Sequence, residues 1–180
     1  MLATTPFQMN THAIGDDANR TILEAYNKAL VFSIDPRWRI EHAQIIDTSD
    51  ISLFNRKIIP SVQPTHATSD MYWAEERIGA NRLEGAYAYK KLLDMSGRIA
   101  LGTDFPVEEV SPLLTFFAAV ARQDENLFPE GGYLYENKLS RIEALSGMTK
   151  WGAYANFEED QKGSIEVGKV ADFVILDRDI

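Results

Sequence analysis

The chain contains no cysteine, which removes disulfides, thiolate metal sites and cysteine nucleophiles together. Any metal must be held through nitrogen and oxygen. Positive charge is also scarce: 18 Lys and Arg stand against 27 Asp and Glu, a net charge of −9. Such a balance repels a phosphate backbone, so nucleic acid is not the expected partner. No apolar run approaches the ~20 residues of a membrane helix, and residues 1–10 lack the basic-then-apolar pattern of a leader. A soluble, cytoplasmic protein without a membrane partner is therefore expected. Neither G-x-G-x-x-G nor G-x-x-x-x-G-K-[ST] occurs, so Gly15 and Gly102 do not open a nucleotide-phosphate loop. What is present suffices for a core: 45% of the 180 residues are hydrophobic and 11% aromatic.

The apolar pattern repeats a β/α plan. Phe7 to Thr11 is β-compatible, and Asp16 or Asp17 can cap a helix whose apolar positions Ile22, Leu23, Tyr26, Ala29 and Leu30 recur at helical spacing. Trp38 to Ile40 forms a second strand. Thr48 or Ser49 then caps a helix through Ile51, Phe54 and Lys57. Ile58 to Val62 is a third strand, followed by a polar and aromatic segment from Gln63 that has the look of an active-site loop, and by a helix over Leu83 to Met95. Arg98 to Gly102 is the fourth strand, with Ser111-Pro112 as N-cap and first-turn pair for the helix Leu113 to Arg122. Four consecutive units of this kind predict parallel neighbours in chain order. Beyond them lie a helical stretch, Ser140 to Ala155, and a glycine-punctuated segment, Gly163 to Leu176, that reads as β-structure outside the repeat.

Three residues stand at the ends of these strands: His12 in Thr11-His12-Ala13-Ile14-Gly15-Asp16, His42 in Arg39-Ile40-Glu41-His42-Ala43-Gln44, and Asp104 in Leu101-Gly102-Thr103-Asp104-Phe105-Pro106. Strand carboxyl ends are where α/β folds place their chemistry, and imidazole with carboxylate is a usual zinc donor set. A hydrolytic metal lowers the pKa of water to about 7. A carboxylate at its edge can then pass the proton to a leaving amine.

Together with Gln63-Pro64-Thr65-His66, Asp70, Val107 and the closing run Gly163 to Leu176, these strings resemble the amidohydrolase superfamily, most closely the amidohydrolase-3 branch that includes N-substituted formamide deformylases. The resemblance covers nearly the whole chain. It implies an α/β fold, the C-terminal half of a TIM-type (β/α)8 barrel comprising strands five to eight, over residues 1–155, with residues 156–180 as the β-element of a small sandwich domain. It implies that His12 and His42 are metal ligands, that Asp104 binds metal and acts as general acid/base, and that His66 contacts substrate or transition state. The cofactor it implies is one or two divalent ions, zinc first, with iron or manganese as alternatives. The reaction it implies is hydrolysis of a non-peptide carbon–nitrogen bond in a small amide, formamide or cyclic amide through metal-activated water.

The family pattern also calls for a His-x-His pair on strand one and a carboxylated lysine or a glutamate on strand four, and no His-x-His occurs here. The chain is accordingly expected to be a C-terminal fragment, inactive alone, that self-associates or pairs with the missing half. Two competing readings are a non-catalytic fragment or assembly module that keeps the architecture, and a sugar- or organic-acid-binding α/β module. Residue by residue, simpler roles compete as well. Asp104 can stabilise the turn before Pro106. Asp16, Asp17 and Ser111 suit helix caps, Glu41 an ordinary salt bridge, and Met71, Tyr72 and Trp73 the packing of a long loop.

Overall fold

The computed structural model describes residues 2–180. Its centre is a four-stranded parallel sheet, β1 (Asn10–Ala13), β2 (Trp38–His42), β3 (Ile58–Val62) and β4 (Ala100–Leu101), in the order β1-β2-β3-β4. This is the arrangement that successive right-handed β/α crossovers produce. The first strand begins three residues later than its apolar run suggests, because Phe7 stays exposed and the register opens at Asn10↔Arg39. His12 is consequently inside β1 rather than beyond it.

Alternation along the strands separates two faces. Trp38, Ile40, Ile58, Val62 and Ile99 enter the main core, where α1 (Asp16–Ala29) contributes Leu23 and Tyr26. Ile59 and Ala100 face the other way and meet Ala155. Tyr26 ties the layers together: its ring packs edge-on to Trp38 at 4.8 Å, and its hydroxyl donates to the Arg39 carbonyl at 3.2 Å.

Several helix boundaries differ from the sequence expectation. The N-cap of α1 is Gly15, not Asp16 or Asp17; Asp16 instead pairs with Arg82 at 2.6 Å. After β2 the chain makes only a 3-10 segment, Thr48–Leu53, capped by Asp47, whose side chain accepts from the Ser49 amide. The supposed loop after β3 is largely helical, in α2 (Pro64–Asp70), α3 (Ala74–Ile78) and α4 (Ala80–Leu83). Pro64 at the first turn of α2 needs no amide partner there. The helix expected from Leu83 starts at Tyr89, as α5 (Tyr89–Ser96), because residues 84–88 run alongside the segment after β2 through the bridge Ile45↔Ala86.

Ser111-Pro112 opens α6 (Pro112–Ala121) at the expected residue. The last helical stretch is two helices, α7 (Arg141–Met148) and α8 (Lys150–Ala155), broken at Thr149 with φ −125° and ψ −93°. Gly147 lets α7 sit close on β4, since a Cβ there would lie 2.6 Å from Leu101 Cγ. α8 is fastened under the amino end of β2 by Arg37, whose guanidinium lies 3.6 Å over the Tyr154 ring and pairs with Glu159 at 2.7 Å.

Residues 163–176 form no strand, contrary to their alternating pattern. A strand is held by its ladder, and this segment has no ladder partner among the described residues. Ile165, Val167, Val174 and Ile175 remain exposed. No helix of the described residues is long and apolar enough to cross a membrane.

Candidate metal centre

The parallel arrangement puts the ends of β1, β2, β3 and β4 on one edge of the sheet, and the turns after them carry the ionisable groups. Backbone conformation there departs from regular strand. His42 has φ 73° and the following Ala43 φ 43°, while Asp104 has φ 59°. Such left-handed conformations cost a non-glycine residue about 1 kcal/mol, and histidine and aspartate tolerate them better than most. At His42 the consequence is directional. Regular alternation would keep it on the face of Ile40, but its ring stands edge-on to that of His12, 4.6 Å between centroids.

His42, His66 and Asp104 each present one ligand-type atom, all within 4.8 Å of one another. Among the described residues this is the group able to hold a cation. Two of the three strand-end residues singled out from sequence, His42 and Asp104, are thus brought together. The third position in the group is filled by His66 of α2 and not by His12, which neighbours His42 from β1. His66 is buried, with its Nε2 3.6 Å from Asp104 Oδ2; the Asp104 side chain is 37% exposed and opens the group to solvent.

The far sides of both rings are already engaged. His42 Nδ1 lies 2.9 Å from Gln63 Oε1, and His66 Nδ1 lies 2.8 Å from Glu108 Oε1. The Ser69 hydroxyl donates to the same Glu108 oxygen at 2.6 Å. Gln63 is itself anchored, because its carbonyl accepts from the Tyr89 hydroxyl at 3.0 Å. With both Nδ1 atoms occupied, the two Nε2 atoms and the Asp104 carboxylate are free for a shared ligand. The donor set fits a divalent metal that accepts imidazole and carboxylate.

A second polar cluster lies further along α2. Asp70, at the end of α2, accepts from Gln44 Nε2 and from the Tyr87 hydroxyl, both at 2.8 Å. Burial raises the Asp70 pKa, against the lowering effect of the Tyr87 hydrogen bond. Burial likewise pushes the Tyr87 hydroxyl far up, so it stays a donor. Glu108 and Tyr87 carry no sequence pattern that marks them, and Gln63 is marked only as the first residue of the Gln63-Pro64-Thr65-His66 string, whereas Glu41 pairs with Arg39 at 3.0 Å as an ordinary salt bridge. Tyr72 stacks on Phe128 at 5.6 Å, in keeping with loop packing. A large open apolar groove lined by Leu113, Phe116, Leu145 and Phe173 shares no residue with the imidazole cluster.

The model of the amidohydrolase family matches residues 2–180. The chain belongs to the amidohydrolase family. It is 35% identical over 173 residues to the protein LONG AFTER FAR-RED 3 of Arabidopsis thaliana, covering 94% of this chain and 29% of that protein. It is 27% identical to the N-substituted formamide deformylase of Arthrobacter pascens, over 93% of this chain and 31% of that enzyme. The crystal structure of an uncharacterized metal-dependent hydrolase from Pyrococcus furiosus superposes with a TM-score of 0.79 at 32% identity, over 96% of this chain and 34% of that one. The amidohydrolase chain thus spans about a third of the length of these relatives.

Proposed function

We propose that this amidohydrolase chain carries strands five to eight of a (β/α)8 barrel, and with them one side of a metal-dependent site that hydrolyses a non-peptide carbon–nitrogen bond. The substrate class is a small amide, formamide or cyclic amide. The observation that carries the reading is the convergence of His42, His66 and Asp104 within 4.8 Å at the carboxyl ends of parallel strands. That the Pyrococcus furiosus relative is described as metal-dependent supports it.

A divalent ion, zinc by preference, would be held by the Nε2 atoms of His42 and His66 and an oxygen of Asp104, with His12 beside His42 as a further donor; it supplies Lewis acidity, which polarises a carbonyl and acidifies water. The residues of the chain do the rest. Asp104, solvent-facing and close to His66 Nε2, takes the proton of attacking water on a carboxylate oxygen and returns it to the leaving nitrogen. His66, held rigid by its buried setting, also faces the substrate carbonyl. Residues 156–180 would complete a small sandwich domain. β1 and β4 each have a single strand neighbour, so the chain would pair with itself or with a segment bearing the complementary strands.

The test is zinc stoichiometry and affinity of the purified chain and of His42→Ala, Asp104→Ala, His66→Ala and His12→Ala. Loss of binding in both His42→Ala and Asp104→Ala is expected. Of the other two, the variant that also loses it identifies the third donor. Zinc content unchanged by His42→Ala refutes the site.

A further inference from the structure

We infer that Gln63 and Glu108 are paired positioning residues, which fix His42 and His66 in the same tautomer and so aim both Nε2 lone pairs at Asp104. The inference deepens the metal-site reading and rests on it for its purpose, but its physical content is a statement about protons that holds with no metal bound. An amide oxygen and a carboxylate can only accept hydrogen bonds. With Gln63 Oε1 2.9 Å from His42 Nδ1 and Glu108 Oε1 2.8 Å from His66 Nδ1, each Nδ1 must carry the hydrogen. In a neutral ring the other nitrogen, Nε2, is then unprotonated and able to donate a lone pair.

The two acceptors are not incidental neighbours. Glu108 comes from the turn after β4, 42 residues from His66 in sequence, and its carboxylate is held in place by the Ser69 hydroxyl at 2.6 Å. Its side chain is 16% exposed, so solvent does not readily replace His66 as its partner. Gln63 directly follows β3 and is the N-cap position of α2, with its carbonyl fixed by the buried Tyr89 hydroxyl. One connection therefore serves both rings: the passage from β3 into α2 supplies Gln63 to His42 and His66 itself to the group. The rings are stacked at 5.8 Å between centroids with 28° between planes, and one ligand-type atom of each lies within 4.8 Å of the other and of an Asp104 oxygen. A ring with the opposite tautomer would place a hydrogen where the shared ligand belongs.

The chain has three histidines, so nitrogen-15 NMR of the imidazoles resolves each one. Spectra of the metal-free chain at about pH 8.5, well above the ordinary imidazole value near 6.5, are expected to show His42 and His66 both with hydrogen on Nδ1. Glu108→Ala should leave His66 a mixture of tautomers, and Gln63→Ala should do the same to His42. Glu108→Gln and Gln63→Glu, which keep an acceptor, should preserve them. Zinc affinity should fall roughly ten- to a hundredfold in each alanine variant and recover in each conservative one. Hydrogen on Nε2 of either ring in the wild-type chain overturns the inference, as does Glu108→Ala with unchanged tautomers. A wild-type chain that shows both Nδ1 tautomers yet takes up no zinc leaves the positioning intact and refutes the metal site instead.

Discussion

Replacing Gly85 by alanine tests whether the turn that holds Gln44 and Tyr87 depends on a close backbone approach. A Cβ on Gly85 would lie 1.7 Å from the Ile46 carbonyl oxygen and 2.9 Å from its carbon. No side-chain rearrangement relieves this, since the obstructing atoms are backbone. The segments must separate at the point where the Ile46 amide donates to the Gly85 carbonyl at 3.0 Å and the Tyr87 amide to the Gln44 carbonyl at 2.7 Å. Leaving buried groups of two such bonds unsatisfied costs about 2–6 kcal/mol. The opposing gain, a less flexible unfolded chain, is only about 0.4–1 kcal/mol, so the clash wins. A loss of several kcal/mol is a large part of a total of roughly 5–15 kcal/mol. Urea unfolding of Gly85→Ala should show that loss, while Gly102→Ala, whose Cβ would meet nothing within 4 Å, should stay within about 0.5 kcal/mol of wild type. Equal stability of the two variants would refute the close-approach argument.

Asp70→Asn keeps an oxygen for the Gln44 and Tyr87 donors but removes the titration. Because burial raises the folded pKa of Asp70 above its ordinary 3.8, the stability tied to its protonated form is present below that value and is lost as pH climbs toward the folded pKa. The stability of Asp70→Asn relative to wild type should therefore rise with pH from about 4 upward in urea titrations; a difference that falls contradicts the assignment. For association, light scattering behind size exclusion should find the purified chain dimeric or larger, because β1 and β4 leave unpaired backbone groups at both sheet edges. A monodisperse monomer across the micromolar range counts against that pairing.

Much of the scaffold was legible because it rests on local rules. The apolar runs at Trp38, Ile58 and Arg98 to Gly102 mark strands, four units in a row dictate their parallel order, and Ser111-Pro112 sets the start of α6. The site was only half legible. Strand-end position identifies His42 and Asp104, but the left-handed backbone that turns His42 toward the cluster is not written in any pattern of residue types. Nor is the partnership of His66 with Glu108, formed between α2 and the turn after β4. The shift of β1 to Asn10–Ala13 explains the position of His12: inside a strand its direction is set by the pleat, opposite Glu41, instead of by a flexible turn. The segment 163–176 shows the converse limit, since alternation specifies a strand only where a partner edge exists.

The two faces of the sheet carry different arguments about what this amidohydrolase chain is built to enclose. The side facing α1 is mostly apolar, with Thr11 at its edge bonded to the Tyr26 hydroxyl at 2.5 Å. On the other side, Asn10, His12, Arg39, Glu41 and Ser61 share the register with only Ile59 and Ala100 against α8. A parallel sheet is ordinarily covered on both faces, and a face intended for a second hydrophobic layer would not carry an arginine and a glutamate in its middle. Here the charges are satisfied from within: Arg39 binds Glu41 at 3.0 Å and the Ala155 carbonyl at 3.2 Å, where α8 ends. That pattern suits the lining of a polar interior with a plug at its amino-terminal end, the setting in which imidazoles at the opposite rim can face a common substrate. It is the side chains on this face and at this rim, and not the β/α order alone, that support the proposed hydrolytic role.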